Sequence, residues 1–234
     1  MNKLESDDII LDIENHEYKL KNNPDMSFTS VTTFINSFFE PFDDIKISNY
    51  LVNNVPKYFG RTPESLIKDW DIARKYGTEV HLEIENWIKN GTEPKDSRAV
   101  FAKSWIGGYV IKPHIKTLSE VIVFSEELGI AGTIDVLMMN QESNEYILID
   151  WKTSKRIDMN SFKGKMGIKK ETEKIEDCNY NHYSLQLSLY RYILETYYGI
   201  NINRQIIAHL KEDGVQTYST PYMKNEVKSM LVNS

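Results

Sequence analysis

The sequence predicts an α/β fold in which a central mixed sheet is flanked by helices, with a helical N-terminal half. Three observations lead there. Between residues 119 and 151, three apolar, β-branched segments follow one another with short polar turns, the pattern of an antiparallel meander. Next, Tyr183 to Tyr198 sets Leu185, Leu189, Tyr192 and Ile193 at helical spacing before the stop signal Gly199. Upstream, capping residues and helix-spaced apolar residues dominate. A chain of 234 residues, 41% hydrophobic and 26% charged, is long enough to bury one good core. We therefore expect one domain over 1–234, with a mostly helical part over 1–118 and a sheet core over 119–220.

The elements are expected in this order. Ile9–Leu11 and His16–Leu20 read as short strands around a polar turn. Ser27 or Ser30 caps a helix from Val31 to Phe39, which Pro41 stops. Thr62-Pro63-Glu64 starts a second helix carrying Leu66, Ile67, Trp70, Ile72 and Ala73. Gly77-Thr78 is expected to interrupt it before Val80 to Ile88, and Gly91 to end it. A further helix is expected from Ala99 to about Leu118, broken near Gly107-Gly108 and Pro113. Glu120–Phe124, Ile130–Met139 and Glu145–Trp151 form the strands of the meander. Lys155 to Cys178 reads as a loop with little regular structure. Arg204–Leu210 and Val215–Thr220 make a hairpin around Glu212-Asp213-Gly214, and a last helix follows Pro221.

Composition excludes several classes. No apolar run reaches membrane-span length, so no membrane partner is expected. A single cysteine, Cys178, rules out an intrachain disulfide and an all-cysteine iron–sulfur cluster. The first residues, MNKLESDDII, lack a basic segment followed by an apolar one, so an intracellular, reducing compartment (cytoplasm or nucleus) is expected. No G-x-x-x-x-G-K-[S/T] is present, so no ATP-driven motor is expected in this chain. Net charge is −6, yet Lys152, Lys155, Arg156, Lys163, Lys165, Lys169 and Lys170 crowd one stretch in which Asp158 is the only acid. That stretch reads either as a solvated loop or as a grip for a phosphate backbone.

The chemistry centres on Gly132-Thr-Ile-Asp135, then fourteen residues, then Asp150-Trp151-Lys152. Asp135 lies inside the apolar run Ile130 to Met139, where an acid needs a partner. The turn between the two strands makes Asp135 and Asp150 antiparallel neighbours. Converging carboxylates repel, and a hard divalent cation resolves the conflict. Lys152 lies two residues beyond Asp150, on the same strand face, where a lysine can act on a water or on developing phosphoryl charge. Trp151 faces the other way but leaves its carbonyl available.

These motifs, with His81 in Gly77-Thr-Glu-Val-His81 and Gln186-Leu-Ser-Leu-Tyr190 downstream, resemble the RecB-like branch of the PD-(D/E)XK nuclease superfamily. That branch includes RecB-type nuclease domains and mitochondrial genome maintenance exonucleases. Its pattern is an early histidine, G-x-x-D, D/E-x-K and Q-x-x-x-Y, and all four occur here in order. The resemblance covers about His81 to Tyr190 and implies a restriction-endonuclease-like core. It implies that His81, Asp135, Asp150 and the Trp151 carbonyl bind one or two Mg²⁺ or Mn²⁺ ions. It implies that Lys152 acts on water or phosphate, and that Gln186 and Tyr190 brace the site or touch DNA. Glu120 resembles an acid found one strand earlier, which orients Lys152 or joins a second metal. Taken alone, His81 also reads as a satisfied helix histidine, Gln186 and Tyr190 as a helix edge, and Glu120 as a surface acid. The expected activity is metal-dependent hydrolysis of DNA, by an exonuclease acting on single-stranded or end-containing DNA in repair, recombination or genome processing. Lys155, Arg156, Lys163, Lys165, Lys169 and Lys170 are the expected backbone grip. An endonuclease on the same core, or a catalytically silent nucleic-acid-binding module, are the alternatives.

Overall fold

The structure is a computed structural model describing residues 4, 8–12, 15 and 17–232. It opens with an antiparallel hairpin, β1 (Ile9–Asp12) and β2 (Glu17–Leu20). Residues 13, 14 and 16 of the expected turn lie outside the described residues. A short β3 (Thr29–Ser30) leads into α1 (Val31–Asn36), where the Ser30 hydroxyl accepts the Thr33 amide. The helix ends before the expected Phe39, because successive amides from Ser37 to Phe39 turn back to carbonyls three residues earlier. Phe34, Phe38 and Phe39 are buried, as a core reading requires.

The sequence reading overlooked α2 (Asp44–Asn54), capped by Asp43. Its apolar residues are too scattered to give a periodic signal. Next comes α3 (Pro63–Asn90), 28 residues long and unbroken. Gly77 does not interrupt it. The glycine is needed for contact instead, since a Cβ there would lie 2.7 Å from Thr153 Oγ1. Gly91, at φ 70°, ends the helix as expected. α4 (Ser97–Val110) runs through Gly107-Gly108 and stops near Pro113, short of Leu118. The residues after it join the sheet, so the 1–118 part is less helical than expected.

The meander is β4 (Ile115–Ser125), β5 (Ile130–Asn140) and β6 (Glu145–Lys152). α5 (Asn179–Tyr197) crosses to β7 (Ile202–Lys211), which runs parallel to β6 and makes a hairpin with β8 (Gly214–Ser219). α6 (Lys224–Val232) closes the chain. The result is a six-stranded mixed sheet flanked by helices, the expected α/β class. One face packs on α1, α5 and α6 through residues such as Val123, Leu148, Leu189 and Met230. The other packs on α3 and α4 through Val80, Ile84, Ile106 and Trp151. Among the described residues, no helix is long and apolar enough to cross a membrane.

One topological detail positions the site. β4 pairs with β5 along one edge, from Ile130 to Asn140, missing only the Glu120–Asp135 position. On the other edge β3 takes Ile130 and Ala131, and β6 takes only Val136 to Asn140. Gly132 to Asp135 is thus a gap in the ladder, between β3 and the splayed end of β6.

The segment from Lys155 to Cys178 is more ordered than expected. Met166 bridges Glu176, and the buried Thr172 hydroxyl donates to the Phe38 carbonyl at 3.0 Å. Contacts with distant residues, invisible to local pattern, tie it to the end of α1.

Candidate metal centre

The register explains how the acids meet. Ser119 pairs with Val136 and Val121 with Ile134, so Glu120 stands opposite Asp135. Val136 pairs with Ile149, so Asp135 would in turn stand opposite Asp150. The three acids are equally spaced in the chain and form one row across three adjacent strands. The row is where regular pairing fails. Glu120 is bent to φ 53°, a left-handed conformation that a side-chain-bearing residue rarely adopts. β5 and β6 part beyond Val136 and Ile149, and the Trp151 amide donates instead to Asp135 Oδ2 at 2.7 Å.

His81 reaches the row from α3, with Nδ1 3.7 Å from Asp135 Oδ2. Ligand atoms of His81, Glu120 and Asp135 all lie within 4.8 Å of one another. Asp150, expected in this set, turns toward α5 instead. Its Oδ1 accepts from Gln186 Nε2 at 3.2 Å, and its Oδ2 is ion-paired with Lys152 Nζ at 2.6 Å. Beyond that ammonium, the buried Oδ2 has no other hydrogen-bond donor among the described residues. The Lys152 ammonium also sits 4.4 Å from the Tyr183 ring centroid.

The electrostatics follow from burying like charges together. Burial, then the neighbouring Asp135, pushes Glu120 up to about 8. Burial raises Asp135, with Lys152 and the Trp151 amide opposing. Burial raises Asp150 to about 6, again against Lys152. His81 is lowered to about 4 by burial and by Lys152, so its imidazole is neutral near pH 7 and its lone pair is free for a cation. The Trp151 backbone lies close enough to oppose that shift, which puts its peptide unit at the site. Burial pulls the Lys152 ammonium down, but Asp150 and Asp135 outweigh it and leave it above its usual range.

Gln186 touches Asp150, as a bracing residue should. Tyr190 is buried, which fits bracing and not contact with DNA. Its hydroxyl donates to the Thr133 carbonyl at 2.8 Å, inside the ladder gap. Gly132 makes room for it, since a Cβ there would lie 2.7 Å from Tyr190 Cε1. The Trp151 side chain is buried against Trp105, at 5.6 Å between ring centroids, as its opposite-facing strand position requires.

The basic stretch is not a uniform grip. Arg156 pairs with Asp158, Lys165 with Glu40, and Lys169 lies 4.0 Å from the Phe38 ring centroid. Lys163, at φ 57°, lies over Phe162. Lys170 is exposed. Lys155 is exposed and lines a cavity of about 490 Å³ that also reaches His81 and Lys152. The sequence reading missed that cavity's other contributors, Phe42 and Arg74, because nothing local marks them.

The residues present fit a hard divalent cation. Two carboxylates and one neutral imidazole converge, and Glu120 is held in its protonated form near neutral pH first by burial and then by the neighbouring Asp135. No family model matches the chain, and no curated protein matches it. Among solved structures, one described as the crystal structure of SSO0001 aligns over 88% of this chain and 73% of its own, at 12% identity and a TM-score of 0.41, a likeness too slight to transfer any property.

Proposed function

We propose that the chain is a metal-dependent nuclease hydrolysing DNA phosphodiester bonds, an exonuclease acting on single-stranded or end-containing DNA. One observation carries the reading. Four segments distant in the chain bring His81, Glu120 and Asp135 to one point and set the Asp150–Lys152 pair beside it. A row of acids that distorts its own sheet is costly to folding unless it is used.

His81, Glu120 and Asp135 would hold Mg²⁺ or Mn²⁺, with Asp150 Oδ2 close by. The bound ion would supply Lewis-acid polarisation of the phosphate and a water of lowered pKa. Lys152 stays protonated, so it serves as a fixed cation for phosphoryl oxygens and not as a base. Asp150 holds that ammonium in place, and Gln186 holds Asp150. Tyr190 fixes the Thr133 carbonyl and so the course of β5 into Asp135.

The test is hydrolysis of single-stranded, duplex, linear and circular DNA with Mg²⁺, Mn²⁺ or EDTA. Asp135→Asn and Lys152→Ala should each abolish metal-dependent cleavage while the protein stays folded by circular dichroism. Cleavage that survives EDTA and both substitutions rules the reading out. Linear-only cleavage marks an exonuclease, and cleavage of circles an endonuclease.

A further inference from the structure

The cavity beside the site has a chemistry of its own. It measures about 490 Å³, within the usual range for sites that hold a small ligand. It is lined by His81 and Lys152 together with Phe42, Trp70, Arg74 and Lys155. Phe42 and Trp70 meet edge to face, with centroids 5.4 Å apart and planes at 72°. Phe42 is 64% exposed, so one face of its ring is open to a ligand at the mouth of the cleft. Arg74 lines the cavity from α3 and pairs with Asp71 on the same exposed helix face, a weak partner that a phosphate can replace. Lys57, on the short 3-10 turn Pro56–Tyr58, lies near Lys155, and repulsion from its ammonium draws Lys155 below its usual range. Two neighbouring ammonium groups favour an anion beside them.

We propose that this cavity is a nucleotide subsite, in which the Phe42–Trp70 pair stacks on an unpaired base of a single-stranded DNA end while Lys155, Lys57 and Arg74 take the adjacent phosphates. The proposal rests on the nuclease reading and names its substrate class. Aromatic faces grip bases without regard to sequence, and they need those bases unpaired. Lysines placed for phosphate add affinity that salt weakens. His81 and Lys152 belong both to this lining and to the proposed site, so a nucleotide seated there lies beside the acid row.

The test compares three fluorescent probes: a short oligo(dT), an abasic phosphodiester oligomer of equal length, and a blunt duplex. Binding is read by anisotropy in Ca²⁺, with cleavage in Mn²⁺ measured in parallel. Phe42→Ala and Trp70→Leu should each weaken oligo(dT) binding roughly ten-fold or more and leave the abasic oligomer unchanged. Trp70→Phe should restore most of that affinity, and Lys155→Ala should weaken both oligomers alike. Phe42 is exposed, so its removal leaves the fold intact. If cleavage persists but the aromatic variants bind both oligomers as the parent does, the subsite is wrong and the nuclease reading stands. If the chain neither binds nor cleaves any probe, both fall.

Discussion

Binding of a cation at the acid row should expel a proton, and the structure says from where. In the metal-free site Glu120 is raised to about 8, by burial first and Asp135 second. At pH 7 it is therefore about nine-tenths protonated, while a ligand must be ionised to bind metal. His81, lowered to about 4, has no proton to give at that pH, and Asp150, at about 6, is mostly ionised. Close to one proton should thus leave per cation at pH 7, and the apparent affinity should rise about 50-fold between pH 6 and pH 8 from this group alone. Calorimetric titration with Mn²⁺ in buffers of different ionisation enthalpy measures the release directly. Glu120→Gln should abolish it and flatten the pH dependence. The sign for stability is opposite. A carboxyl raised in the folded state keeps its proton while the unfolded chain loses it, so this group's contribution is full below about 4.5 and lost as pH rises through 8. The melting temperature in EDTA should therefore fall with pH more steeply in the parent than in Glu120→Gln. Release of no proton by the parent, or equal release by the variant, would refute the assignment of Glu120 as a ligand.

Other outcomes follow from the contacts. Gly132→Ala forces a Cβ against the tethered Tyr190 ring and should cost about 1–3 kcal/mol, read as a lower melting temperature that Tyr190→Leu partly restores. Gln186→Ala leaves the buried Asp150 Oδ1 without its donor and should cost about 1–3 kcal/mol by denaturant titration, whereas Gln186→Glu should be worse above pH 6, where Asp150 is charged. Gly77→Ala, normally a gain of about 1 kcal/mol inside a helix, should give none here, and combining it with Thr153→Ala should recover the gain in thermal melts.

Much of this was legible in the sequence because the signals are local. The three meander strands, Gly91, Gly199 and the β7–β8 hairpin lie where apolar period and glycine place them. Strand register also sets Asp135 opposite Asp150, and Asp150 meets Lys152 and Gln186. What failed was read locally but determined by distant partners. Gly77 read as a break because glycine weakens helices, but Thr153 needs the space it leaves. The basic loop read as irregular because its partners, Phe38 and Glu40, lie far upstream. Phe42 could not be placed at the site, since its cavity is built from four separate segments. Asp150 was assigned to the metal through its motif, while the structure gives its carboxylate first to Lys152 and Gln186.

The gap in the β5 ladder also bears on the order of folding. The meander strands pair over short chain separations and can form early. The groups that fill the gap come from farther away, Tyr190 to Thr133 across 57 residues and Gln186 to Asp150 across 36. Closing such loops costs chain entropy before any contact repays it. This corner is then completed after the meander that surrounds it. Substitutions at Gln186 and Tyr190 should accordingly speed unfolding while leaving the folding rate nearly unchanged, a division that a chevron measurement reads directly.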